Sequence, residues 1–168
     1  VDFTKKNETL YPLAYGIKKY YKDQGQDSAV PKREGLWWLD AGRDFNEAVR
    51  EEWNWELLIR MPEFVIGEVV DRIKPGIIRK KKDQIDEIRS KEIYEGTCAQ
   101  VLHIRPYSEE HETVTFLMEF IELHGYKIHG LHHEIYLSAP RKIAPAKMKT
   151  IIRYQAKAGK QLNVHRSS

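Results

Sequence analysis

The sequence predicts an α+β fold: an antiparallel sheet with helices on one face and a ligand cleft on the other, built from two strand–helix–strand–strand modules related by a pseudo-twofold axis. Three observations predict it. Short β-rich runs bounded by Gly and Pro alternate with three longer stretches of helical spacing. Leu58-Ile59-Arg60 and Ile151-Ile152-Arg153 stand at matching places in the two halves, as do Trp38-Leu39-Asp40 and Tyr136-Leu137-Ser138. At 168 residues the chain is sized for one domain or two closely packed halves. The expected layout is a single domain over residues 1–158, with a first module over about 1–62, a connecting helix over 63–84 and a second module over about 85–155. Residues 159–168 read as a polar tail.

Residues 3–22 carry Phe3, Leu10, Leu13, Ala14, Ile17, Tyr20 and Tyr21 at spacings of three and four, an amphipathic helix that Pro12 should kink or restart. A polar turn follows at residues 22–28. Residues 34–39 read as a strand and 53–60 as its hairpin partner, with a short helical turn between them over 44–52. Pro62 stops the second strand, and 63–82 are helical in pattern with a break at Pro75-Gly76. The second half opens with a strand pair, 85–93 and 97–104. Pro106-Tyr107-Ser108 is a turn whose Ser108 is placed to cap a helix over 109–124. Gly125 and Gly130 bracket a connection, 131–137 is a strand, 138–140 stops it, and 148–154 is the last strand. No strand is read ahead of the first helix. The repeat therefore lacks its opening strand in the first half.

Composition excludes several classes. Hydrophobic residues at 41% and charged residues at 32% describe a folded chain rather than a disordered one. No apolar run approaches the ~20 residues of a membrane span, and the mean hydropathy is −0.62. A net charge of +3 does not by itself argue for nucleic acid. The basic run Arg79-Lys80-Lys81-Lys82 is followed at once by Asp83, Asp86 and Glu87, as on a solvated helix end. A single Cys98, placed in an apolar strand, argues against a disulfide framework, a Cys-rich zinc site and a thiol nucleophile. There is no Gly-rich phosphate loop and no Ser elbow, so no cofactor is expected. Adjacent His132 and His133 point to opposite faces of a strand, and the other histidines show no ligand spacing, so no metal is expected. Nothing resembles a secretory segment, and a cytoplasmic location is expected, although the chain opens on Val1 rather than Met.

Residues 131–137 are the most informative stretch. Alternation puts Leu131, His133, Ile135 and Leu137 on one face and His132, Glu134 and Tyr136 on the other. The first set reads as the face that packs on helices. The second reads either as a solvent-exposed sheet face or as the floor of a cleft. By the repeat, Glu34, Leu36 and Trp38 oppose it. Carboxylates framed by aromatic walls suit flat, apolar or cationic ligands. A carboxylate desolvated there is suited to general acid–base work. Tyr15 and Tyr107 complete the expected wall. The tryptophans 37, 38, 53 and 55 divide between core and cleft, with Trp37 and Trp38 assigned to the ligand.

The chain resembles the GyrI-like small-molecule-binding proteins, and more closely their stand-alone branch that includes cyclopropanoid hydrolases. The resemblance rests on Leu10-Tyr11-Pro12-Leu13-Ala14-Tyr15-Gly16-Ile17-Lys18, Glu34-Gly35-Leu36-Trp37-Trp38, Glu95-Gly96 with Gln100-Val101-Leu102-His103-Ile104, His132-His133-Glu134-Ile135-Tyr136-Leu137 and Lys149-Thr150-Ile151-Ile152-Arg153-Tyr154, over residues 3–155. It implies two modules of the SHS2 type with a cleft between them. It also implies that Glu134 matches the carboxylate at the cleft floor, with Tyr136 beside it and Trp38 on the wall. In the hydrolase branch, Glu134 would orient or deprotonate a water that adds across a strained cyclopropane of a genotoxic compound, and Tyr136 would hydrogen-bond the water or a ligand carbonyl. Lys32-Arg33 before Glu34-Gly35 and Arg105 after Ile104 depart from the family pattern near the expected cleft mouth.

Three readings of function stay open at this point. One is a xenobiotic-detoxifying hydrolase using catalytic Glu134 and Tyr136, with Tyr15, Glu34, Trp37, Trp38, Tyr107 and His132 holding the ligand. The second is a non-catalytic binder that sequesters drugs or metabolites with the same residues. The third is an effector-type module acting on a protein partner such as gyrase. No helix-turn-helix segment is read here, which argues against direct nucleic-acid binding.

Overall fold

The first helix, α1 (Phe3–Lys22), occupies the expected residues and continues through Pro12 without the expected restart in the computed structural model, which describes residues 3–41, 48, 52–77, 87–138 and 143–159. Leu13, Ile17 and Tyr21 recur at the spacing of one helical face and are buried together. Gly25, at φ 86°, ends the helix: its amide and that of Gln26 return to the carbonyls of Lys22 and Tyr21 at 3.0 Å each.

Strand β1 (Arg33–Trp38) and strand β2 (Asn54–Ile59) follow, both rich in the aromatic and branched residues that favour strands. Most of the turn expected over 44–52 lies outside the described residues. The second helix, α2 (Gly67–Ile77), begins four residues later than the pattern over 63–82 suggested and continues through Pro75 instead of breaking there. Residues 78–86 are outside the described set.

The strand expected over 85–93 is not found: among the described residues, 88–96 carry no strand. Ile88 packs on the cluster of Leu13, Ile17, Tyr21 and Val70, and Lys74 Nζ donates to its carbonyl at 2.8 Å. Scattered apolar side chains that anchor an irregular segment to a core look, in sequence, like the apolar positions of a strand, so the pattern misleads.

Strand β3 (Cys98–Ile104) leads through a 3₁₀ turn (Tyr107–Glu109) into helix α3 (His111–Leu123). Glu110, not Ser108, stands at the N-cap, and no side chain caps the helix. Gly125 (φ 77°) and Gly130 (φ 117°) bracket a three-residue strand, β4 (Tyr126–Ile128), where only a connection was expected. Then come β5 (His132–Tyr136) and β6 (Lys149–Ala158). The sheet has six strands in the order β2-β1-β5-β6-β3, with β4 pairing β6 off that path. Central β6 is long because it serves three antiparallel partners: β3 from Cys98↔Gln155 to Ile104↔Lys149, β5 from His133↔Arg153 to Tyr136↔Thr150, and β4 at its far end. Among the described residues, six strands and three helices make the α+β class the sequence predicts.

The chain divides into two compact units. The first comprises Val1–Glu34 and Glu56–Tyr94, the second Gly35–Trp55 and Glu95–Ser168. The first has its core on α1 and α2. The second has its core on Val114, Leu117 and Ile121 of α3 against Ile152 and Tyr154 of β6.

That second core corrects one expectation. Cross-strand partners share a sheet face, and Glu134 is paired with Ile152, which is fully buried under α3. The row His132, Glu134, Tyr136 therefore lies on the helix-covered face. His133 and Ile135, expected against helices, lie on the opposite face. There Arg153 makes two 2.9 Å bonds to the Glu95 carboxylate, and His133 Nδ1 meets the same carboxylate at 3.1 Å.

Candidate functional site

The start of α3 leaves room above the sheet. A cavity of about 330 Å³ opens there, lined by Trp37, Ala48, Trp53, Tyr107, Ser108, Glu110, His111, Val114, His132 and Glu134. All of these residues belong to the second unit. Each arrives by a different route. Alternation along β1 turns Trp37 inward and Trp38 to the other face. His132 and Glu134 come from β5, two residues apart and so on one side. Tyr107 and Glu110 come from the turn into α3. That turn is fixed by His103, whose Nδ1 lies 2.9 Å from Thr113 Oγ1 and whose Nε2 lies 3.2 Å from the Pro106 carbonyl. A carbonyl only accepts, so Nε2 carries the proton and the Thr113 hydroxyl donates to Nδ1.

At the floor, Tyr154, His132 and Glu134 form a chain. The Tyr154 hydroxyl is 2.7 Å from His132 Nδ1, and His132 Nε2 is 3.1 Å from Glu134 Oε1. Glu134 is 1% exposed. Burial, with the Glu134 charge next, pushes the Tyr154 hydroxyl well above the usual tyrosine range, so it keeps its proton and donates it to Nδ1. The His132 ring then carries its own proton on Nε2 and donates it to Glu134. Glu110, also buried, brings a carboxylate oxygen within 4.8 Å of the His132 and Glu134 donor atoms. These three groups are of a type that binds cations. In this arrangement both ring nitrogens of His132 are engaged in hydrogen bonds.

Of the residues singled out from sequence, Glu134, His132, Trp37 and Tyr107 line the cavity. Tyr136 is buried behind it: its hydroxyl oxygen accepts the Trp37 indole N–H at 3.0 Å, and its ring meets Tyr107 edge-on at 5.9 Å. Tyr15, exposed and 6.4 Å from the Tyr11 ring, and Glu34, half-buried on β1, belong to the first unit. Sequence reasoning did not assign Glu110, Trp53 or Tyr154 to the site. Glu110 stood in an acidic run that reads as ordinary helix-start charge. Trp53, 6.4 Å from the His132 ring, stood in a tryptophan cluster that reads as core.

Gly35 shows how tightly the wall is built. A Cβ there would lie 2.5 Å from the Tyr136 hydroxyl and 2.9 Å from Trp37 Nε1. Gly35→Ala is expected to displace the Trp37–Tyr136 pair, to destabilise by about 1–3 kcal/mol and to weaken ligand-induced tryptophan quenching. Thermal denaturation and fluorescence titration of the variant check this. Cys98 is remote in character: burial, with the Glu95 charge next and Arg153 opposing, pushes its thiol up. Its alkylation by iodoacetamide at pH 8 is expected to be several-fold slower than that of a free cysteine, and a rate matching free cysteine would contradict this.

Comparison with known proteins adds the family. The model of the GyrI-like small-molecule-binding domain matches residues 6–155. A crystal structure of a conserved uncharacterised protein from Listeria innocua is 38% identical, with a TM-score of 0.78 over 94% of this chain and 81% of that one. Two structures of proteins described as hydrolases, also from Listeria innocua, are each 37% identical to the present chain. One has a TM-score of 0.74 over 92% of this chain and 79% of that one, the other 0.75 over 92% and 80%. Among curated proteins there is no match. Among the described residues no helix is long and apolar enough to cross a membrane. With a family model spanning nearly the whole chain and Listeria structures sharing over a third of its residues, the chain belongs to the GyrI-like small-molecule-binding domain family.

Proposed function

We propose that this protein binds flat, electrophilic small molecules in the cavity at the start of α3 and hydrolyses those that carry a strained cyclopropane. The observation that carries the reading is Glu134, a buried carboxylate facing a cavity walled by Trp37, Trp53 and Tyr107. The hydrolase description of two relatives supports the reaction class. Stacking on the aromatic walls holds a planar substrate and excludes bulk water. Glu134 accepts a proton from one bound water, and the water oxygen bonds to a ring carbon. The strained C–C bond breaks, its electron pair passes to the carbonyl conjugated with the ring, and that oxygen takes up a proton. The sum is addition of one water.

His132 orients the Glu134 carboxylate through its N–H. Tyr136 acts as a positioning residue by holding the Trp37 indole, in place of the direct contact with water or ligand that the sequence suggested. Trp38, on the other face of β1, and Tyr15 and Glu34, which belong to the first unit, do not line this cavity and take no part in the proposed ligand contact. A cytoplasmic location suits a protein that intercepts alkylating compounds before they reach DNA.

Incubation with a cyclopropane-bearing DNA alkylator in heavy-oxygen water tests the proposal. The expected product is ring-opened, heavier by one water, and carries the label. Tryptophan quenching without product would instead make this a sequestering protein, a reading favoured by the same aromatic walls and acidic floor.

A further inference from the structure

We infer that Glu110 is the second catalytic carboxyl of this site, holding the proton that the ring-opened substrate takes up at its carbonyl oxygen. The inference rests on the hydrolytic reading above and adds the acid to its base. Glu110 stands immediately before α3 and its side chain makes no cap hydrogen bond to the helix. Its carboxyl is buried and lines the cavity, within 4.8 Å of the donor atoms of His132 and Glu134.

Two carboxyls this close in a buried site hold one negative charge in preference to two, because repulsion between like charges is weakly screened there. The hydrogen-bond chain decides where the charge sits. Tyr154 donates to His132 Nδ1, so His132 Nε2–H points at Glu134 Oε1, and an N–H donor favours the ionised acceptor. Glu134 therefore carries the charge and Glu110 the proton. During turnover Glu134 gains the proton of water while Glu110 gives its own to the carbonyl oxygen as the C–C bond breaks. The pair ends with one proton, as it began, now on Glu134. Its return to Glu110 resets the site. The titratable groups around the pair are Tyr107 and His111, which line the same cavity from the α3 side, His132 from β5 and Tyr154 from β6, with Tyr136 behind them on Trp37.

The test is the pH dependence of kcat/KM for the wild type, Glu110→Gln and Glu110→Asp, on two cyclopropane substrates whose ring-opened enols differ in acidity. An acid at 110 predicts a bell-shaped wild-type profile and loss of its alkaline limb in Glu110→Gln. It further predicts a rate falling about 10- to 10³-fold for the less acidic enol, a smaller deficit for the more acidic one, and partial rescue by Glu110→Asp. A purely structural role would lower both substrates equally and leave the shape of the profile unchanged, and that result overturns the inference. Wild-type turnover with Glu110→Gln within twofold at every pH overturns it while leaving the hydrolase reading standing. Absence of wild-type product overturns both.

Discussion

Glu134→Gln is expected to lower turnover of a cyclopropane-bearing alkylator by about 10²- to 10⁴-fold, with affinity and thermal midpoint close to those of the wild type. The amide has the shape of the carboxylate, and its oxygen still accepts the His132 Nε2–H that now meets Oε1 at 3.1 Å. What it loses is basicity: a carboxamide does not take a proton from water near neutral pH. The side chain is 1% exposed, so the substitution removes a buried charge without opening a cavity, and the fold has no reason to weaken. Steady-state kinetics with calorimetric melting of both proteins checks the pair of expectations. Unchanged turnover would take the catalytic role away from residue 134. A large fall in melting temperature would assign the carboxylate a structural task instead.

Ile152→Ala is expected to destabilise the second unit by about 2–5 kcal/mol. Ile152 is fully buried at the centre of β6, where its side chain joins Val114, Leu117 and Ile121 of α3. Truncation removes apolar burial and leaves a void between helix and sheet that neighbours on two rigid elements fill poorly. Because Ile152 is the cross-strand partner of Glu134, the same void loosens the floor of the cavity. Urea denaturation followed by circular dichroism reads the first effect. A midpoint equal to that of the wild type would show that α3 is not seated on β6 as described.

Much of the architecture was legible because it depends on periodicity. The stripe Leu13, Ile17, Tyr21 announced α1, and alternation announced β1 and β5 within one residue of their ends and β6 within four. Periodicity tells which residues share a face but not which face is inside. On β5 the apolar set looked like the buried one, yet His132 and Glu134 are buried on the helix side because Tyr154 and Glu134 satisfy the His132 ring. Ile135, on the other side, is only half-buried. The partner Tyr154 is set by the register of β5 on β6, which no local pattern carries. Strand β4 is too short to show a period. Glu110 reaches the site through a turn that His103 fixes from β3, a tertiary arrangement with no signature in the residues around Glu110 itself.

The most direct measurement is a crystal structure of Glu134→Gln soaked with the intact alkylator, since the variant should bind without consuming it. The expected result is ligand density between Trp37, Trp53 and Tyr107, with the cyclopropane turned toward residue 134. Density seated elsewhere, for instance in the open depression formed by Glu122, Gly125, Tyr126 and Lys127, with the cavity at the start of α3 left unfilled, would contradict the assignment of the site.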